Sequence, residues 1–108
     1  MEEQPGNILS FETIKTTVVS LAKSFPKNGF EALYLFGSYS QNEATEESDV
    51  DILVYPGKVL DYFALGRLNE TLREEFGKSV DTSVATSMPA KILANAERDK
   101  ILLYRPGE

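Results

Sequence analysis

The sequence contains no cysteine and no histidine among its 108 residues. Without cysteine there is no disulfide bond and no thiolate metal site, so we expect a reducing, cytoplasmic environment. Without histidine the chain lacks the usual general base at neutral pH and the usual ligand of transition metals. Any bound metal would therefore be a hard cation held by oxygen atoms, with Mg²⁺ or Mn²⁺ as the candidates.

Long apolar runs and basic clusters are also missing. No apolar run approaches the roughly 18 residues of a membrane-spanning helix, and the acidic, polar first ten residues are unlike a signal peptide. The formal net charge is −6, whereas binding to a nucleic-acid backbone needs clustered lysine and arginine. We therefore expect no membrane and no direct nucleic-acid partner. The acidic charge fits ordinary solubility, a basic partner or a metal-binding carboxylate cluster.

The length predicts a single domain over residues 1–108, with residues 1–9 as a flexible lead-in. Apolar spacing and turn residues predict a series of short elements. These are helices over 11–25, 59–76 and 89–96, and strands over 32–36, 50–55 and 79–85. The apolar run at 101–104 fits either a last strand or the end of the preceding helix. This order predicts an α/β (α+β) fold in which helices flank a small mixed β-sheet.

The stretch 36–54 carries the residues that suggest chemistry. Gly37 allows a tight turn and a close approach of the backbone to a ligand, and Ser38 can offer its hydroxyl and free N–H groups to phosphate oxygens. After ten intervening residues, Asp49 and Asp51 project from one face of a predicted strand. Two such carboxylates repel each other unless a cation lies between them. The combination predicts a site for a metal-bound nucleoside triphosphate, suited to phosphoryl or nucleotidyl transfer.

Asp81 is a candidate third carboxylate. It lies between Ser79 and Ser83 on one face of the third predicted strand, and that face is unusually polar for a central strand. Each feature has an ordinary explanation when it is taken alone. Asp81 fits a strand edge or turn, Ser48-Asp49 is a common turn sequence, and a Gly-Ser pair carries little information. The prediction of an active site depends on their combination.

The pattern Gly37-Ser38, ten residues, Asp49-x-Asp51 and an apolar run resembles the minimal nucleotidyltransferase (MNT) family of the DNA polymerase β-like nucleotidyltransferase superfamily. Asp81 resembles that family's third carboxylate. The resemblance spans nearly the whole chain and implies the polymerase β-like fold, ATP as the substrate and two Mg²⁺ ions. By this resemblance Gly37 and Ser38 would bind the triphosphate, and Asp49 and Asp51 would bind metal. Asp81 would be a metal ligand or the catalytic base, and a hydroxyl would attack the α-phosphorus of ATP, transferring AMP and releasing pyrophosphate.

The chain departs from the family pattern in the middle of the loop. Many members have a basic residue and a glycine where this chain has Gln41-Asn42, so neutralisation of the triphosphate charge is in question. Asn42 is expected to keep the turn, because asparagine tolerates a left-handed backbone. Three further carboxylates in the loop are expected to face solvent: Glu43, Glu46 and Glu47.

The resemblance also implies a partner. MNT proteins of this length are typically paired with a HEPN-type ribonuclease toxin that is encoded nearby, and act as its antitoxin. Two functions follow: a protein adenylyltransferase that AMPylates a toxin tyrosine, or an antitoxin that binds the toxin stoichiometrically and uses its nucleotide site weakly or not at all. Either function implies a hetero-oligomer with the toxin. A third interpretation is a small α/β domain with an incidental pair of aspartates and no nucleotide binding.

Overall fold

The computed structural model describes residues 8–25 and 29–107. Within these ranges the chain forms three α-helices, two short 3₁₀-helices and four β-strands. In chain order the main elements are α1 (Phe11–Ala22), β1 (Phe30–Phe36), β2 (Val50–Pro56), α2 (Tyr62–Phe76), β3 (Val80–Val84), α3 (Ala90–Asp99) and β4 (Ile101–Tyr104). Most of the predicted lead-in, at 1–7, and the predicted helix stop at 26–28 lie outside the described residues.

The four strands form one mixed sheet in the order β3-β2-β1-β4. Strand β1 pairs antiparallel with both β2 and β4, and β2 pairs parallel with β3. The parallel pair is joined by α2, because parallel neighbours need a crossover connection. The run at 101–104 is therefore a strand, and the predicted small mixed sheet flanked by helices is confirmed.

The two faces of the sheet are covered unequally. On one face the sheet packs against α1 and α2 in the main core, which includes Ile14 and Val18 of α1 and Leu68 and Leu72 of α2. On the other face a small cluster joins Leu53 of β2 to α3. Alternate residues of β2 point to opposite faces, so Ile52 and Val54 enter the main core. Asp51 and Leu53 therefore share the thinly covered face.

Capping residues set the helix boundaries and correct two of the predicted ones. The Ser10 hydroxyl accepts a hydrogen bond from the Thr13 N–H at 3.1 Å and starts α1 as predicted. This helix ends at Ala22 rather than at residue 25. Helix α2 begins three residues later than predicted, because the Asp61 carboxylate caps the N–H groups of the next turn.

The ends of the later helices also follow from local chemistry. Gly77, with φ of 69°, ends α2 in the left-handed conformation, as predicted. Helix α3 runs to Asp99, three residues past its predicted end, and so covers more of the thinly covered face than expected. In the described part of the chain, no helix is both long and apolar enough to cross a membrane.

Candidate active site

The Gly-Ser turn and the aspartate pair meet at the edge of the sheet where β1 ends and β2 begins. In the antiparallel β1–β2 pair Phe36 lies opposite Asp51, so the chain leaves β1 directly beside the Asp51 side chain. Gly37 has φ of +77°, a conformation that disfavours any side chain. A Cβ atom at this position would overlap Oδ2 of Asp51 and lie 3.2 Å from its Cγ. Both the backbone and the carboxylate therefore require glycine here.

The parallel β2–β3 pair brings Asp81 next to Asp51. The two residues are direct partners in the register, although thirty residues separate them in the sequence. Val80 and Val84 of β3 are buried in the main core, so Asp81 points to the opposite face, as Asp51 does. The structure thus brings together the second and third predicted carboxylates.

Asp49 completes a group of three carboxylates at this edge. It is exposed and lies just before β2, two residues from Asp51. The pKa of Asp51 is raised from 3.8 to about 6, first by burial and then by the charges of Asp81 and Asp49. Burial and the repulsion from both neighbours therefore all disfavour the charged form of Asp51.

These three side chains do not form a closed set of ligands. Across residues 8–25 and 29–107, no three acidic side chains lie close enough together to hold a metal ion. Asp49 and Asp81 are both exposed to solvent. The donors are nevertheless all hard carboxylate oxygens, and the absent side chain of Gly37 leaves the space that the Asp51 carboxylate occupies. This donor set suits Mg²⁺, which would offset the repulsion.

The loop after Gly37 is compact at its start. A 3₁₀-helix spans Gly37–Tyr39, and the Ser38 carbonyl accepts hydrogen bonds from the N–H groups of Gln41 at 3.2 Å and Glu43 at 2.9 Å. Asn42 adopts a left-handed conformation, with φ of 59°, which confirms that asparagine keeps the turn. The prediction that the extra loop carboxylates face solvent is also confirmed for Glu43, Glu46 and Glu47.

Asn69 supports the strand that carries Asp81, and the sequence interpretation missed it. Its amide donates hydrogen bonds to the Val80 carbonyl at 2.9 Å and to the Thr82 hydroxyl at 3.1 Å, on either side of Asp81. The signal was present in the sequence: a polar residue stands four positions after Leu65 within an otherwise apolar stripe of α2. Asn69 therefore links α2 to the site.

A second link joins the loop to β3. The Lys78 ammonium donates a hydrogen bond to the Tyr39 hydroxyl at 2.8 Å and lies 5.2 Å from the centre of its ring. The two residues are 39 positions apart, so no local pattern predicts the contact. This contact holds the start of β3 against the 3₁₀-helix that follows Gly37.

Comparison with known proteins identifies the family. Residues 20–108 match the protein family described as polymerase beta, nucleotidyltransferase. The match takes in the Gly-Ser turn and all three aspartates. The chain belongs to this family. The nucleotidyltransferase is thus an enzyme of the transferase class, as the resemblance implied.

Two relatives and a solved structure resemble this nucleotidyltransferase. Protein adenylyltransferase MntA of Thermococcus cleftensis is 30% identical over 95 residues, which cover 87% of this chain and 96% of the relative. A Methanocaldococcus jannaschii protein named as a protein adenylyltransferase is 42% identical over 62 residues, 57% of this chain and 67% of that protein. A chain in the crystal structure of a toxin–antitoxin with AMP-PNP is 26% identical, with a TM-score of 0.71 and coverage of 86% of this chain and 74% of that one. The polymerase β-like fold is confirmed.

Proposed function

We propose that this nucleotidyltransferase transfers AMP from ATP to a tyrosine hydroxyl of a partner HEPN-type ribonuclease toxin encoded nearby, and thereby acts as an antitoxin. One observation carries the proposal: the fold gathers Gly37, Asp51 and Asp81 at one edge of the sheet. The relatives named as protein adenylyltransferases support AMP transfer to a protein. The likeness to a toxin–antitoxin solved with AMP-PNP supports both the nucleotide and the type of partner.

Each residue of the site has a proposed role. Two Mg²⁺ ions, held by Asp49, Asp51 and Asp81, would neutralise the triphosphate and the charge that develops during transfer. Gly37 lets the backbone approach the phosphates, and Ser38 contacts the β- and γ-phosphates with its hydroxyl and N–H. Asp51 is half-buried beside two like charges, so a cation bound there would relieve the repulsion that raises its pKa.

The transfer step is an in-line displacement at phosphorus. The tyrosine oxygen forms a bond to the α-phosphorus of ATP, and the bond from that phosphorus to the oxygen bridging to the β-phosphate breaks. The electron pair of the broken bond leaves with pyrophosphate. Asp81, which is exposed to an incoming acceptor, accepts the proton of the hydroxyl. In the absence of histidine, a carboxylate is the base that the site offers.

A mass measurement tests this function. The chain is incubated with ATP, Mg²⁺ and the HEPN-type protein encoded beside it, and the products are weighed by intact-mass spectrometry. We expect the partner to gain one or more AMP units, and the gain to vanish with Asp49→Ala or Asp51→Ala. Glu46→Ala, an exposed loop carboxylate outside the group, serves as the control and should retain the gain.

The second candidate is an antitoxin that acts by stoichiometric binding, with a nucleotide site that is weak or unused. The loop favours it, because residues 37–48 contain no lysine or arginine to neutralise a triphosphate. A tight complex with no mass gain in the same experiment would exclude AMP transfer and support this alternative. Under both functions the single domain over 1–108, the hetero-oligomer and the cytoplasmic location stay predictions.

A further inference from the structure

The connection between β2 and α2, together with the first turn of α2, displays three large apolar side chains to solvent. Val59 is 67% exposed, Tyr62 62% and Phe63 86%. The residues that follow, Ala64 and Leu65, are buried, so the helix is anchored without help from the exposed side chains. Contiguous exposed apolar groups of this kind mark interaction sites on soluble proteins.

A cleft lined by cations and tyrosines includes Lys58, the residue before Val59 in the sequence. It has a volume of about 620 Å³. Lys100 lies 4.3 Å from the ring centre of Tyr34 and 4.6 Å from that of Tyr55, and its ammonium donates a hydrogen bond to the Tyr55 hydroxyl at 3.0 Å. These contacts hold the cation in place before any ligand arrives.

The charge of the cleft is opposite to that of the whole chain. The chain has 11 basic residues against 17 acidic ones, yet Lys58, Lys100 and Arg105 all line this cleft. Glu31 is the acidic residue in the lining, and the Glu97 carboxylate accepts a hydrogen bond from the Tyr55 hydroxyl. The Glu97 carboxylate also lies 4.0 Å from the Lys100 ammonium and offsets its charge. Lys58 and Arg105 against Glu31 still leave the wall with a positive balance, which favours an anionic group as the ligand.

We infer that Lys58, Val59, Tyr62, Phe63, Lys100 and Arg105 form one docking surface for a protein partner. The partner places an apolar side chain against Phe63 and a carboxylate near Lys58. This inference rests on the proposed function, because it takes the toxin as the occupant. A nucleic acid fits less well, since a net charge of −6 repels an extended polyanion.

The docking surface lies at the far end of the sheet from the carboxylates. Asp51 is near the start of β2 and the connection at Gly57 follows its end, a separation of about 20 Å at ~3.3 Å per residue. A partner held at this end leaves the Asp51 edge open to its acceptor tyrosine. Substitutions on the docking surface should therefore impair binding without changing the nucleotide site.

Two variants test the docking surface: Phe63→Ser and Lys58→Glu. Binding of the neighbouring HEPN-type protein is measured by isothermal titration calorimetry, and the thermal shift with Mg²⁺-ATP is measured in parallel. We expect each variant to weaken binding by at least roughly tenfold, as for residues at the centre of an interface. The thermal shift should equal that of the unmodified chain. Ile92→Ser and Lys91→Glu, two exposed positions of α3, are the matched controls and should bind normally.

Several outcomes would overturn the inference. Unchanged toxin binding by both variants would do so, and so would a toxin that does not bind the unmodified chain. A homodimer in analytical ultracentrifugation that Phe63→Ser dissociates would make a second copy the occupant instead. Failure of the proposed AMP transfer would give a different result. The unmodified chain would bind the toxin, Phe63→Ser would bind it more weakly, and the toxin would gain no AMP.

Discussion

A single missing side chain shapes the site at the scale of the residue. Gly37 lies where a Cβ atom would overlap the Asp51 carboxylate, and its φ of +77° excludes most other residues. Sequence reasoning assigned Gly37 to a tight turn near a ligand and Asp51 to a carboxylate pair. Their direct contact could not be predicted, because it depends on how β1 and β2 pair.

Replacing Gly37 by alanine should damage both the fold and the site. For Gly37→Ala we expect a loss of roughly 1–3 kcal/mol in the free energy of unfolding, from the strained φ and the overlap with Asp51, and loss of Mg²⁺-ATP binding. Urea unfolding and calorimetry measure the two effects. Gly66→Ala is the matched control, because nothing lies within 4 Å of a Cβ there and a helical alanine should stabilise the chain by about 0.5–1 kcal/mol. Equal effects of the two substitutions would contradict this explanation.

The raised pKa of Asp51 predicts how stability depends on pH. Its folded value of about 6 exceeds the ordinary 3.8, so the folded chain binds the extra proton between these values. The stability that this proton contributes is complete below pH 3.8 and is lost as the pH rises through about 6. Relative to the unmodified chain, Asp51→Asn should therefore be more stabilising at about pH 8 than at about pH 4.

Urea unfolding of both proteins at the two pH values, without divalent ions, checks this dependence. Glu46→Gln, in the exposed part of the loop, is the control for the removal of one carboxylate charge away from Asp51. If Asp51→Asn behaved in the same way as the control, burial and the neighbouring charges would not be acting on Asp51 as described.

At the scale of the element, α2 does more than fill the core. Its apolar stripe was readable from the sequence, and it packs on the sheet through Leu65, Leu68 and Leu72 as that stripe predicts. Asn69 interrupts the stripe and holds the backbone of β3 on both sides of Asp81. Helix α2 thus both fills the core and supports the strand that carries a residue of the candidate site.

Loss of the Asn69 amide should therefore have two consequences. For Asn69→Ala we expect a cost of roughly 1–3 kcal/mol in unfolding free energy, because the half-buried Val80 carbonyl and Thr82 hydroxyl lose a donor. We also expect weaker Mg²⁺ binding, since β3 is less firmly held. Thermal unfolding and a Mg²⁺ titration by calorimetry measure these effects. Asn95→Ala, on the exposed side of α3, should change neither quantity, and normal Mg²⁺ affinity in Asn69→Ala would exclude the positioning role.

At the scale of the whole molecule, the two ends of one sheet face differ in charge. Asp49, Asp51 and Asp81 lie at one end, and Lys58 and Lys100 lie near the other, on a chain of net charge −6. The overall charge was readable from composition, but its division between the two ends was not. Under the proposed function and the proposed docking surface, this division would let the chain hold a cation and an anionic partner group at separate places.

Ligand binding should stabilise the entire domain. At 100 times its Kd, Mg²⁺-ATP should add about 2.7 kcal/mol to the free energy of unfolding, because it binds the folded chain alone. Differential scanning fluorimetry measures this as a rise in Tm, which Asp49→Ala and Asp51→Ala should abolish. ATP with EDTA is the control and should have little effect. An unchanged Tm with Mg²⁺-ATP at every concentration would favour a domain with an incidental aspartate pair.

The sequence by itself determined the types of the elements and predicted the candidate residues of the site. Period-two spacing placed Asp49 and Asp51 on one face, the lack of histidine and cysteine restricted the ligands to oxygen, and the Gly37-to-Asp51 pattern indicated the family. These inferences succeed because helix and strand periodicity and side-chain chemistry are local properties.

Only the tertiary structure decided which distant residues meet. The strand registers place Asp51 between Gly37 and Asp81. These registers are fixed when α1 and α2 cover one face of the sheet, because a slip of β2 by one residue would turn the Asp51 side chain into the main core. The same packing left Phe63 exposed, although the sequence placed it in a helix like its buried neighbours. Strand pairing and burial are long-range outcomes of packing, and no local pattern encodes them.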